Sequence, residues 1–241
     1  MSVTLRVFET VIRRLKRDPG YRLNTPYGTR DLTTIVWLRG RQVLRGLLLR
    51  VRLGHAGWPL FCGRRVVVEH AYLLTCGPSC IFEDGVMISA LAQQGVRLGR
   101  NVTIGKAAIV QCTGVVARRG VGLAIGNASA VGAQSFIGAQ GGVRIGNDVI
   151  MGPGVRIFSE NHVFDDPQVP IRLQGEVREG VVIEDDCWIG SGVTIVDGVQ
   201  VGRGSVIAAG AVVTKSLPAF SVAAGVPARV LSSRAQAEER S

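Results

Sequence analysis

The sequence predicts an all-β solenoid, a parallel β-helix with amphipathic helices on its N-terminal side and a short C-terminal extension. Three observations carry that reading. First, an aliphatic residue recurs at every sixth position. Leu98, Ile104 and Val110 begin the count, followed by Ile125, Val131 and Ile137, then Ile145, Met151, Ile157 and Val163. After a break it resumes at Ile183, Ile189 and Ile195 and runs to Val201, Ile207 and Val213. Second, glycine often follows the aliphatic residue, as at Gly99, Gly105, Gly126, Gly146, Gly190 and Gly202. Third, 46% of the chain is hydrophobic but only 5% is aromatic, which suits a narrow aliphatic interior. Six is neither the helical period nor a plain strand alternation. Each hexapeptide supplies one short strand and one turn, and three of them make a triangular coil of about eighteen residues. Stacked coils bury each aliphatic side chain against copies above and below. A glycine beside it permits a tight corner with positive backbone angles.

Taken in chain order, residues 3–17 place Leu5, Phe8, Ile12 and Leu15 at helical spacing among arginines, and Asp18-Pro19-Gly20 stops that helix. The turn-rich Asn24-Thr25-Pro26 leads to a second helix over 31–53. There Val36, Val43, Leu47 and Val51 line one side, with Arg41, Arg45 and Arg52 roughly opposite. Residues 1–57 form this basic helical segment, 58–231 the β-helix and 232–241 a tail. Residues 58–95 read as irregular early coils, and the repeat becomes regular at Val96. A looser stretch over 111–124, holding Arg118 and Arg119, reads as a bulging loop. Between 163 and 181 the period is lost in a polar, proline-broken loop, and loops of that length are often functional.

Composition narrows the function. Residues 1–65 hold 14 of the 28 Lys/Arg but only 3 of the 18 Asp/Glu, so the basic character belongs to the helical segment. Such a segment suits an anionic membrane surface, or its apolar side caps the open end of the solenoid or packs in an oligomer. The arginines lack a nucleic-acid reader motif and aromatic stacking platforms, so no nucleic-acid partner is expected. No apolar run is long enough to cross a bilayer and no signal peptide is expected. The five cysteines show no CxxC pair and read as buried thiols of a reducing, cytoplasmic compartment.

Of three histidines, only His162 lies among the regular repeats. It closes the string Ser159-Glu160-Asn161-His162 at the mouth of the 163–181 loop. A corner histidine there is placed to take a proton from something held beneath the loop, as a general base. His55 and His70 show no spacing with His162 that would gather three imidazoles on one zinc, so no metal is expected.

Three ordered strings between Ile145 and Leu231 resemble the hexapeptide-repeat acyltransferases, in particular the galactoside, maltose and exopolysaccharide O-acetyltransferases. They are IGNDVIMGPGVRIFSENH, DDCWIGSGVTIVDGVQVGRGSVIAAGAVVTKSLP and VAAGVPARVL. The resemblance implies a left-handed β-helix, a homotrimer with an active site at each subunit boundary, and acetyl-CoA as co-substrate. It implies His162 as catalytic base, acting on a sugar hydroxyl in a direct transfer. Trp188 matches the tryptophan beside that site, Ser191 the residue near the thioester, and Ala209 the small residue beside the pantetheine arm. Thr214, Lys215 and Arg229 match contacts to the nucleotide end.

The acceptor side departs from the galactoside pattern, since the positions of its sugar-binding Asn and Asp read Gly132 and Gln140. Gln134, Gln140, Glu160, Asn161 and Arg172 are the candidate acceptor contacts, joined on the loop by Gln174 and Glu176. Glu160 and Asp165 are candidates to orient His162. The expected function is CoA-dependent O-acetylation of a sugar or polysaccharide precursor at the inner face of a membrane. N-acetylation of an amino sugar or xenobiotic, and a non-catalytic membrane-associated scaffold, are the alternatives.

Overall fold

The computed structural model describes residues 3–16, 20, 22–23 and 27–236, with the side chains of 3–7, 15, 16 and 236 left aside. The predicted turns Asp18-Pro19 and Asn24-Thr25-Pro26, the side chains of Leu5 and Leu15, and the tail beyond 236 lie outside the described residues. Two helices, α1 (Val3–Lys16) and α2 (Thr29–Arg50), precede three parallel sheets of seven, nine and seven strands. The chain passes from sheet 1 to sheet 2 to sheet 3 and back, so the sheets are the faces of a triangular prism. A final antiparallel hairpin, Ser221–Gly225 with Ala228–Ser233, closes the far end of sheet 2.

Inward side chains stack in register. Leu98, Ile125, Ile145 and Ile183 follow one another in sheet 1, and Ile104, Val131, Met151, Ile189 and Ile207 lie in sheet 2. Val110, Ile137, Ile157, Ile195 and Val213 do so in sheet 3. All are buried, and each such side chain contributes about 1.5–3 kcal/mol. The first coil begins at His55, within the segment read as helical. The early coils keep the same inward register, in which Cys62, Cys76, Cys80 and Phe82 take places that an aliphatic count passes over. All five cysteines are buried and reduced, and burial pushes the Cys112 thiol up to about 12.

The three edges of the prism differ in length. The step across the first edge is always six residues, as in Cys76 to Phe82 and Ile183 to Ile189, and so is the step across the second, Phe82 to Ile88 and Ile189 to Ile195. The third edge runs from Val68 to Cys76, Ile88 to Leu98, Val110 to Ile125 and Ile157 to Ile183 before tightening to six at Ile195 to Val201. The expected eighteen-residue coil therefore holds between Ile189 and Ile207, and the longer coils gain their length at this edge. Val163, which extends the period in sequence, sits on the longest of these excursions instead of in the core.

The corner glycines act differently from the expectation. Positive φ falls two residues later, on Asn101, Ala107, Ala128, Gln134 and Asp148. Gly146 is needed because the next coil passes too close for a side chain: a Cβ there would lie 2.2 Å from Asp185 Oδ1. That carboxylate accepts from the Asn147 N–H at 2.7 Å, and Asn147 Oδ1 accepts from the Asn127 N–H at 2.8 Å. The result is a side-chain ladder up the first edge.

Helix α2 packs a different face from the one its apolar stripe suggested. Leu32, Gln42, Gly46 and Leu49 are buried, whereas Val36, Leu47 and Val51 are exposed. Gly46 fixes the contact, since a Cβ on it would stand 1.9 Å from the Leu60 carbonyl oxygen. Arg45 Nε donates to the Cys62 carbonyl at 2.9 Å, and Arg39 and Gln42 both reach the Glu83 carboxylate.

Candidate active site

The longest excursion of the third edge carries His162. It leaves the prism at Ser159, whose buried hydroxyl donates to the Gly138 carbonyl at 2.8 Å and accepts the Gly141 N–H at 3.0 Å. It returns at Glu179 and Gly180, whose N–H groups donate to the Asp197 carboxylate at 3.0 and 2.7 Å. Both ends are thus tied to neighbouring coils. Between them the strand Asn161–His162 pairs antiparallel with Glu176–Val177, so that His162 stands opposite Glu176. The tip holds the four-residue helix Ile171–Gln174. The Gln174 amide donates to the carbonyls of Asp166 and Val169 at 2.8 and 2.7 Å and accepts the Asp166 N–H at 3.1 Å. The segment read as a polar loop is a braced hairpin.

A second loop, over 112–122, leaves the same edge two coils earlier and meets the hairpin. Arg118 forms an ion pair with Glu176, the cross-strand neighbour of His162. Arg178 pairs with Glu160 at 2.6 Å and donates to the Arg118 carbonyl at 3.5 Å. Glu160, a candidate to orient His162, is therefore engaged by Arg178. Sequence reasoning passed over Arg178 and the pairing of Glu176 because both depend on two loops far apart in the chain. The one available signal was the Arg118-Arg119 pair in the looser stretch.

His162 is exposed, as are Asn161 and Arg172. Gln140 lies beneath the hairpin on the same edge, against Gly114, Gly120 and Gly138. Thr214 and Lys215 occupy that edge two coils further on and are exposed. Trp188, Ser191, Ala209 and Gln134 lie elsewhere. Trp188 is 57% exposed on the outer face of sheet 2, beside Ile150. Gln134, Ser191 and Ala209 line the second edge, where Gly152 packs on Ser191 and Gly190 on Ala209. Arg229 belongs to the closing hairpin, opposite Ala224. A single chain thus gathers His162, Gln140, Thr214 and Lys215 along one edge and keeps Trp188, Ser191 and Ala209 apart from them.

The outer faces differ in polarity. Sheet 1 presents Arg97, Ala124, Arg144 and Gln200. Sheet 3 presents Val67, Met87 and Ile109, 40–49% exposed, continued by Phe136, whose ring lies 5.6 Å from that of Phe158. Sheet 2 presents Ile150 and Trp188. The tip of the hairpin adds exposed Phe164, Ile171 and Leu173. Contiguous apolar surface of this kind marks contact surfaces. Among the described residues, no three His, Cys, Asp or Glu side chains gather as a metal site.

Residues 180–215 match the bacterial transferase hexapeptide model of six repeats. The chain is 41% identical over 90 residues to the galactoside O-acetyltransferase of Escherichia coli, covering 37% of this chain and 43% of that one. It is 47% identical over 90 residues to a putative acetyltransferase of Saccharomyces cerevisiae, covering 37% and 44%. A probable acetyltransferase of Mycobacterium tuberculosis is 33% identical over 92 residues, covering 38% and 31%. The chain spans less than half the length of these curated relatives. Among solved structures, a variant of AntD, an N-acyltransferase from Bacillus cereus in complex with dTDP-4-amino-4,6-dideoxyglucose and coenzyme A, superposes with a TM-score of 0.53 at 14% identity. That match covers 90% of this chain and 97% of the other. The fold is the left-handed parallel β-helix of hexapeptide-repeat proteins.

Proposed function

We propose that this hexapeptide-repeat chain is a CoA-dependent O-acetyltransferase that acetylates a hydroxyl of a sugar or polysaccharide precursor, with His162 as general base. The observation that carries this reading is the position of His162 on the longest excursion of the one edge that varies in length. The imidazole would take the proton from the acceptor hydroxyl as its oxygen attacks the thioester carbonyl. The carbon–sulfur bond then breaks, and the departing thiolate takes a proton to leave as CoA. Ser191 would donate to the carbonyl oxygen as it gains charge, and the exposed Trp188 ring would keep water from the thioester. Ala209 leaves room for the pantetheine arm. Thr214, Lys215 and Arg229 would meet the phosphates of the donor, and Gln134, Gln140, Asn161 and Arg172 the acceptor.

Residues of one chain lie on separate edges, so the site needs a second copy, and a closed ring of three satisfies every subunit alike. The apolar outer faces of sheets 2 and 3 support such head-to-tail contact. Residues 1–57, rich in arginine and poor in acid, support a peripheral seat on an anionic membrane surface on the cytoplasmic side. No helix among the described residues is long and apolar enough to cross a membrane.

N-acylation of an amino sugar is the second reading, favoured by the likeness to a fold that in AntD serves an N-acyltransferase. Thiol release from acetyl-CoA, measured over a panel of sugars and amino sugars, distinguishes the two. Turnover of hydroxyl acceptors alone supports the first reading, and turnover confined to amino sugars replaces it. His162→Ala is expected to lower turnover by about 10²–10⁴. Equal rates in mutant and parent would remove His162 from the chemistry.

A further inference from the structure

We infer that the outer face of α2 is the surface that seats this protein on a bilayer of anionic lipid. The inference rests on the reading of residues 1–57 as a membrane-facing segment and assigns the contact to one helix face. Helix α2 is apolar on two sides. The inner side is spent on the first coil through Gly46 and Leu49. On the opposite side Val36, Trp37, Leu44, Leu47, Leu48 and Val51 are between 42% and 85% exposed. At 100° per residue these six fall within one arc of about a third of the helix circumference.

Charge on the rim selects the occupant. Arg30 and Arg41 stand eleven residues apart, so they run down one border of the apolar arc. Both are exposed, and the Arg41 guanidinium lies 4.5 Å over the Trp37 ring. The acid of α2, Asp31, accepts the Gly28 N–H at 3.0 Å at the helix start. A second α2 laid face to face would bring arginine rims together with no carboxylate between them. A sheet of anionic headgroups over acyl chains matches both features. Leucines enter the acyl boundary, and tryptophan and arginine stay at headgroup level. Anchored through Gly46, Arg45 and Arg39, the helix is presented already folded.

The test is co-flotation of the full chain with vesicles of phosphatidylglycerol and phosphatidylcholine, against phosphatidylcholine alone, at low and high salt. Thermal melting and light scattering are run alongside. The parent should float with anionic vesicles at low salt and be released by high salt. Leu44→Ser with Leu48→Ser should keep its melting temperature and lower the bound fraction by about tenfold or more. Arg30→Ala with Arg41→Ala should lose the preference for phosphatidylglycerol. If the parent does not float, the face assignment and the membrane reading of residues 1–57 fall together. If the parent floats and the leucine variant floats equally, the outer face is not the contact, while the broader reading stands. If the leucine variant changes the subunit number and leaves flotation alone, the face is a contact between copies and the inference is overturned.

Discussion

Two edges of this prism are strict and the third is free, and the proposed site draws on that difference. Across the first edge the coils are bound by the Asn127–Asn147–Asp185 ladder and by glycines that leave no room for a Cβ. The second edge is held as tightly by contacts such as Gly152 on Ser191. There a coil can neither gain nor lose a residue without breaking register with both neighbours. The third edge carries the 112–122 loop and the 159–180 hairpin, joined by the Arg118–Glu176 ion pair and by the Arg178 contact to the Arg118 carbonyl. An edge that tolerates insertion can be shaped around an acceptor at little cost to the core. An edge that does not is suited to present a fixed groove, which is where Ser191 and Ala209 lie.

The most direct way to break this comparison is to insert the same two residues at each kind of edge. A Gly-Ser pair between Gly190 and Ser191 should cost about 4 kcal/mol or more and lower the melting temperature by roughly 10 °C. The same pair between Val116 and Ala117, where Val116 is 88% exposed, should shift it by about 2 °C or less. Circular dichroism melting measures both. Equal losses would show that the third edge is as constrained as the others.

A smaller effect sharpens the comparison from the side of function. The Val163 N–H donates to the Gly175 carbonyl at 3.0 Å, so residues 164–174 can be replaced by an Asn-Gly turn that keeps the hairpin and His162. The melting temperature should stay within about 5 °C of the parent. On the proposed reading, transfer to the acceptor should fall about 100-fold, near 2.7 kcal/mol, with CoA affinity unchanged in calorimetry. Loss of CoA binding would mean that the excursion serves the donor as well as the acceptor.

The edges also explain what could be read in the sequence. From Leu98 onward the aliphatic count was legible because two strict edges impose it in every coil. The first coils were hidden by Cys62, Cys76 and Phe82 at inward positions and by the variable steps from Val68 and Ile88. His162 stood out because the period fails beside it. Its surroundings did not, since Arg118 and Arg178 reach Glu176 and Glu160 from separate segments. For α2, hydrophobic patterning found a true stripe and gave it the wrong neighbour. The packed face is chosen by Gly46, whose missing side chain lets the helix approach Leu60, and a hydropathy count gives glycine no such weight.

The smallest expected effect concerns a charge at the second edge. Asp84, between Phe82 and Ile88, accepts the Arg64 N–H at 2.6 Å and the Arg64 Nε–H at 3.1 Å. The Arg64 backbone N–H holds the Asp84 carboxyl below its ordinary value; burial opposes it, and the Arg64 guanidinium adds to the lowering. A carboxyl with a depressed folded pKa stabilises the fold above its unfolded value, near 3.9. That contribution is lost as pH falls through the folded value. The pair is partly exposed, so Asp84→Asn should cost about 0.5 kcal/mol at neutral pH, measured by urea unfolding. The difference from the parent should shrink as pH falls through the folded value, where the parent's carboxyl also becomes neutral. A cost that stayed constant across that range would assign the contact to hydrogen-bond geometry, and the strict edge would then owe nothing to charge.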